Sequence, residues 1–151
     1  MTADEYQHLR ARLIRDHAAD NVTAGRWLAD GAEERSAEVT DRLLPDGERT
    51  DGMMLLTAET ADGELVGSVW VALQYADAAD AAWIYDIEVD PGQRGHGYGR
   101  ALLEAAERET AARGVRAIGL NVFNGNTVAR RLYESAGYTV TTEQMRKDLT
   151  A

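Results

Sequence analysis

Residues 94–100 read Arg-Gly-His-Gly-Tyr-Gly-Arg, with a glycine at every second position and an arginine at each end. An apolar run, residues 83–89, leads into this stretch, and an amphipathic run, residues 101–113, leaves it. The spacing predicts a strand, a glycine-rich turn and the first turn of a helix. A helix start leaves backbone N–H groups unpaired and carries partial positive charge. Glycine lets an anion approach such groups closely. The chemistry on offer is therefore a grip on phosphate or pyrophosphate. An ordinary tight strand–helix turn is the plain alternative.

Two further constellations bear reactive groups. Asp86 and Glu88 stand on the strand that feeds the turn, and either carboxylate could take a proton; a solvated strand acid or ion-pair partner reads as well. Asn126, Ala129 and Tyr133 stand at i, i+3 and i+7, so they share a helix face. Val128 and Leu132 are expected on the neighbouring core face. On spacing alone, Tyr133 is as well read as a core tyrosine with its hydroxyl satisfied. His8, His17 and His96 have no ligand cluster around them, and no metal is expected. Trp27, Trp70 and Trp83 are candidates for core packing or for an acceptor pocket.

The elements that must position these groups are legible from periodicity. Thr2 and Glu5 have the capping-box spacing, and Tyr6, Leu9 and Leu13 repeat at helical intervals, so a helix is expected over 3–19. A second is expected over 32–44, with Val39 and Leu43 inward. Strands are expected over 53–59 and 64–75, joined by an Asp62-Gly63 hairpin turn. A small-residue loop, 76–82, precedes the strand 83–89. In that strand alternation puts Tyr85, Ile87 and Val89 on one face and Ile84, Asp86 and Glu88 on the other. Gly114 closes the following helix, and a strand is expected over 115–123. Asn126 caps a helix over 127–136 that Gly137 ends, and residues 138–149 read as a final strand.

Bulk properties exclude several classes. The 151 residues suit one domain, 1–151, with one core. The formal net charge of −10 argues against a nucleic-acid binder, which needs basic patches, and would attract cationic substrates, with solubility alone as the plain alternative. No cysteine is present, so disulfides, thiolate metal sites and a thiol nucleophile are all excluded. No leader or membrane-length apolar run is visible, and a cytoplasmic protein that does not engage membranes is expected.

The motifs taken together resemble a known family. Residues 84–91, Ile-Tyr-Asp-Ile-Glu-Val-Asp-Pro, and 93–103, Gln-Arg-Gly-His-Gly-Tyr-Gly-Arg-Ala-Leu-Leu, resemble the acyl-CoA-binding motif (Q/R-x-x-G-x-G/A) of the GNAT N-acetyltransferase superfamily. Arg94-x-x-Gly97-x-Gly99 matches it without a gap. Residues 120–123, then Asn126-x-x-Ala129-x-x-Leu132-Tyr133-Glu134-x-x-Gly137-Tyr138, resemble the second block of that family. The resemblance implies an α/β (α+β) fold with a mixed, mostly antiparallel sheet, split like a V, and helices on both faces. The short first edge strand of many members is missing, because only Met1 precedes the capping Thr2. The sheet would then lose an edge, or a partner would cover it, and a homodimer is one way to do so.

The same resemblance implies acetyl-CoA as co-substrate and a small-molecule amine as acceptor. Pyrophosphate would sit on the N–H groups of Arg94, Gly95, His96, Gly97, Tyr98 and Gly99, with Arg100 adding charge. Pantetheine would lie along Ile87, Glu88 and Val89, and Asn121, Asn126 and Tyr133 would contact the donor arm. Glu88 would serve as base, with Asp86 or a water as the alternatives; Val89 N–H would stabilise the developing oxyanion; Tyr133 would protonate the departing thiolate. Some members that acetylate protein N-termini carry a catalytic Glu where this chain has Asn121, which counts against a peptide acceptor. The acceptor pocket would be formed by the first two helices, the 45–52 loop and the last strand. A CoA-binding sensor without turnover and a dinucleotide-binding domain are the rival readings. The second is disfavoured by the glycine spacing and the late position of the turn.

Overall fold

The computed structural model describes residues 1–77 and 80–150. By contact density the chain forms two compact units, Met1–Leu120 and Asn121–Ala151. In the first unit α1 spans Ala3–Thr23, α2 Ala32–Leu43, β1 Met53–Glu59, β2 Leu65–Ala72, β3 Ala81–Val89, α3 Tyr98–Ala112 and β4 Ala117–Leu120. Single 3₁₀ turns at Gly47–Arg49 and Pro91–Gln93 precede β1 and α3. The second unit holds α4, Thr127–Ser135.

The first helix forms as its cap predicts. Thr2 Oγ1 accepts from Glu5 N–H at 3.2 Å, and Glu5 Oε2 accepts from Thr2 N–H at 2.6 Å. It runs on through Asn21, whose side-chain amide donates to the His17 carbonyl at 2.8 Å. Tyr6, Leu9 and Leu13 bury together with Leu44, Leu55 and Trp70 as one cluster. The buried stripe of α2 is Ala32, Ser36 and Thr40, while Val39 and Leu43 are only half-buried. Small side chains let α1 and α2 pack closely, and Ser36 Oγ meets His17 Nδ1 at 3.2 Å.

The sheet order is β1-β2-β3-β4. The first three strands are antiparallel, and β4 lies parallel to β3. The hairpin turn is as expected, with Gly63 at φ +81°. No strand precedes α1. A Cβ added to Gly67 would meet Leu102 of α3 at 2.9 Å, whereas Ser68 Oγ accepts from Arg12 of α1 at 3.3 Å. Adjacent strand residues point to opposite faces, so α1 and α3 cover opposite faces of the sheet. On the α3 side the core is built from Leu102, Leu103 and Ala106 against Val69, Val71 and Ile84, all buried.

Four expectations need correction. The strand expected over 115–123 is only Ala117–Leu120. The strand expected over 138–149 does not form: residues 138–150 carry no helix or ladder. β-branched residues there favour an extended chain, but a strand exists only where a neighbour pairs with it. In α4, Val128 is 80% exposed, and the shielded face is Ala129, Leu132, Tyr133 and Ala136. The alternation in β3 is broken, as described below. Of the 76–82 loop, Ala78 and Ala79 lie outside the described residues. No helix among the described residues is long and apolar enough to cross a membrane.

Candidate active site

The β3–β4 ladder runs from Ala81 opposite Ala117 to Ile84 opposite Leu120 and ends there. β3 continues to Val89, paired on its other side with β2. Residues 85–89 therefore have one ladder-free edge. Asp90 N–H donates to the Val66 carbonyl at 2.9 Å, which makes Val89 opposite Gly67 a pair that does not exchange hydrogen bonds. Alternation then turns the N–H and C=O groups of Ile87 and Val89 toward the open edge. The Val89 carbonyl indeed accepts from Arg94 Nε at 3.1 Å on that side. This is the backbone arrangement that can pair with an amide-bearing arm.

The β2–β3 register slips between Trp70 and Val71. Trp70 faces Asp86 while Val71 faces Ile84, which leaves Tyr85 as the extra residue of a β-bulge. Paired residues share a face, so Ile84 points to α3, and Asp86 and Glu88 point to α1 beside Trp70 and Ser68. Simple alternation had put Ile84 with the two acids. A signal was present: the apolar residues Ala82, Ile84, Ile87 and Val89 change spacing from two to three at this point.

The two carboxylates meet different partners. Asp86 is held in a fork by Arg12, Nη2 to Oδ2 at 2.7 Å and Nη1 to Oδ1 at 3.3 Å, and both side chains are largely shielded. Burial works against the Arg12 charge, but the hydrogen bonds and charge of Asp86 outweigh it and raise the guanidinium pKa. Arg12 lies 74 residues before Asp86, and nothing in its spacing marks it as part of the site. Glu88 pairs instead with Arg94, the first residue of the glycine motif. Asp86 is thus committed to fixing α1 on the sheet, and Glu88 is the more accessible carboxylate.

The turn itself is built for an anion. Gly95 and Gly97 have φ +81° and +83°, in the left-handed region that disfavours side chains. A Cβ at either would meet nothing within 4 Å, so space stands open over both. Gly97 is the N-cap of α3, no side chain caps this helix, and no acid lies in its first turn. The first intrahelical bond is Ala101 N–H to the Gly97 carbonyl at 3.2 Å, so the N–H groups of Tyr98 and Gly99 have no acceptor within the helix. His96 Nδ1 meets the Gln93 carbonyl at 3.1 Å, which holds the ring against the turn. These residues fit a pyrophosphate.

In the second unit, Asn126 caps α4 as its sequence predicts, with Oδ1 accepting from Ala129 N–H at 3.2 Å. Among the described residues of that unit Tyr133 is the buried one, its ring 5.8 Å from that of Tyr138. Arg130 pairs with Glu134 and donates to Asn124 Oδ1 at 3.2 Å. Asn121 is exposed.

The tryptophans divide by role. Trp70 is core, and Trp83 lies beneath Tyr75. Trp27, between α1 and α2, lines a cavity of about 290 Å³ with Arg26 and Arg35, and the Arg35 guanidinium lies 5.4 Å from its ring centre. His17 meets the Trp27 ring edge-on at 5.1 Å. Burial, helped by Arg26 and opposed by Asp20, holds the His17 imidazole below its ordinary pKa.

A mixed sheet with an open half-edge runs straight into an uncapped, glycine-lined helix start, an arrangement suited to a phosphate-bearing donor with an amide arm. The sequence matches the Acetyltransferase (GNAT) family over residues 16–138, and the chain belongs to that family. It is an acyl-CoA-dependent N-acetyltransferase. It is 31% identical over 149 residues to the uncharacterized N-acetyltransferase YycN of Bacillus subtilis, covering 99% of this chain and 96% of that one. The crystal structure of YycN superposes with a TM-score of 0.92 at 30% identity, over 100% of this chain and 96% of that one. An acetyltransferase structure from Pyrococcus furiosus gives 0.69 at 31% identity, over 92% and 93%. The mycothiol acetyltransferase of Beutenbergia cavernae is 37% identical over 76% of this chain, which spans 38% of that protein.

Proposed function

We propose that this acetyltransferase uses acetyl-CoA as donor and transfers the acetyl group to a primary amine of a small molecule, by direct attack in a ternary complex. The observation that carries the reading is the continuity of the open edge, residues 85–89, with the left-handed glycines and uncapped start of α3. The turn N–H groups and Arg100 hold the pyrophosphate. Ile87 and Val89 hold the pantetheine through backbone groups, and the resemblance of residues 120–138 to the family's second block assigns Asn121 and Asn126 to the donor arm.

An alkylammonium keeps its proton to about pH 10, so the acceptor must be deprotonated before it attacks. Glu88 takes that proton, directly or through a water. The greater exposure of Glu88 and the commitment of Asp86 to Arg12 support Glu88 over Asp86. The amine nitrogen then bonds to the thioester carbonyl carbon, and Val89 N–H stabilises the charge gathering on oxygen. The carbon–sulfur bond breaks, Tyr133 donates its hydroxyl proton to the departing thiolate, and the second amine proton, shed as the amide forms, returns to the Tyr133 oxygen through water. Tyr133 is supported by its place in the family's second block and by the capped helix that carries it.

Thiol release from acetyl-CoA in the presence of a panel of primary amines tests the reading. Amine-dependent release is expected. Saturable acetyl-CoA binding with no release for any amine would replace it with a donor-sensing module.

A further inference from the structure

The geometry points to an acceptor whose amine is carried on a ring, seated on a shelf made by Tyr75 and Tyr85; this rests on the amine acetyl-transfer reading above. The bulge is the origin of the shelf. It places Tyr85 against Trp70 on the α1 face, with ring centres 4.6 Å apart and planes 26° from parallel. Tyr75 stacks on Trp83 at 4.3 Å and 13°, and meets Tyr85 edge-on at 6.4 Å. Trp83 lies flat because Gly119 is its partner on β4: a Cβ there would come within 2.9 Å of the indole. Each tyrosine thus has one face fixed on a tryptophan, yet Tyr75 is 38% and Tyr85 37% exposed. Burial raises the Tyr85 phenol, so its hydroxyl stays protonated and can donate.

The position of the shelf identifies its occupant. Trp70 and Ser68 are two residues apart on the same face of β2, opposite Asp86 and Glu88. The rings therefore begin about 7 Å along the strand from Glu88, the span of two residues. The donor arm uses the β3 edge in the plane of the sheet, while Glu88 and the rings stand above it. An amine presented to Glu88 extends its body over Tyr85 and Tyr75. Rigid aromatic faces favour a body with a flat or C–H-rich face, and Asp86 offers no free charge to a second ammonium because Arg12 holds it.

The test measures kcat/KM for phenethylamine, glucosamine and butylamine in the wild type and in Tyr85→Ala, Tyr75→Ala and Tyr85→Phe. At least one ring amine is expected to exceed butylamine by about five- to tenfold, mostly through KM, the scale of one ring contact. The two alanine variants are expected to bring that ratio close to one, and Tyr85→Phe to keep most of it. Which ring amine leads tells an aromatic from a saccharide acceptor. Butylamine matching both ring amines, or a ratio that survives both alanine variants, overturns the shelf and leaves acetyl transfer standing. No turnover of these amines or of any amine in the wider panel overturns the small-molecule amine reading itself. Tryptophan fluorescence titrated with each ring amine in the absence of donor reads the shelf without turnover: saturable quenching by one of them, lost in Tyr85→Ala, supports it, and no quenching by either overturns it.

Discussion

At the residue scale the proposed mechanism assigns its two proton transfers to Glu88 and Tyr133, and each assignment can be tested alone. Tyr133→Phe removes one hydroxyl from a buried ring and keeps its packing. A fall in kcat of about 10²-fold with little change in acetyl-CoA affinity is expected from loss of a general acid; an unchanged turnover number would remove Tyr133 from the mechanism. Glu88→Gln also frees Arg94, so rate loss alone is ambiguous. The discriminating measurement is the pH–rate profile. The variant should lose most below the amine pKa, where free amine is scarce, and a profile parallel to wild type would leave a water as the base. His17 gives a stability prediction of definite sign. Its folded-state pKa is depressed by burial, so the unfolded chain binds more protons as pH falls below the ordinary imidazole value. The stability it contributes is complete above about pH 6.5 and is lost as pH drops through the lower folded value. Urea midpoints should decline over that window in wild type and stay flatter in His17→Gln.

At the scale of elements, β3 is set by its neighbours on both faces. The bulge at Tyr85 turns Asp86 and Glu88 toward α1, and Arg12 locks that face by its fork on Asp86. Gly67 sets the other constraint. A Cβ there would lie 2.3 Å from the Glu88 carbonyl oxygen and 3.2 Å from the Val89 Cα, both backbone atoms that cannot swing away. Gly67→Ala should therefore destabilise by about 3 kcal/mol, at the upper end for overpacking, in denaturant unfolding. Because residues 88 and 89 belong to the strand segment that carries the open edge, acetyl-CoA KM should rise as well. A variant with wild-type stability and KM would mean that β2 and β3 part freely at this point.

At the scale of the whole molecule, the charge matters for capture more than for chemistry. A net charge of −10 draws an ammonium-bearing acceptor toward the surface. Raising ionic strength from about 0.01 M to about 0.15 M shortens the screening length from about 30 Å to about 8 Å. kcat/KM for a monoammonium acceptor should fall by about two- to fivefold over that range, with kcat nearly constant. A flat salt profile would show that only local contacts select the acceptor.

The sequence by itself determined the family, the glycine turn and most element boundaries, because each rests on local rules. Left-handed glycines, a Thr2–Glu5 capping box, the Asn126 cap and the Tyr6, Leu9, Leu13 repeat of α1 are short-range, and the structure forms them where the spacing puts them. What only the tertiary structure decided involves partners distant in the chain. The register slip at Trp70/Val71 arises from pairing between strands, and it reversed the face on which Ile84 was read. Arg12 reaches Asp86 across 74 residues, so no window of sequence could separate the two carboxylates. The 138–149 segment has strand composition and no ladder, because pairing needs a neighbour as well as a propensity. The aromatic shelf belongs to the same class: Trp70, Tyr75, Trp83 and Tyr85 meet only once the bulge has turned β3.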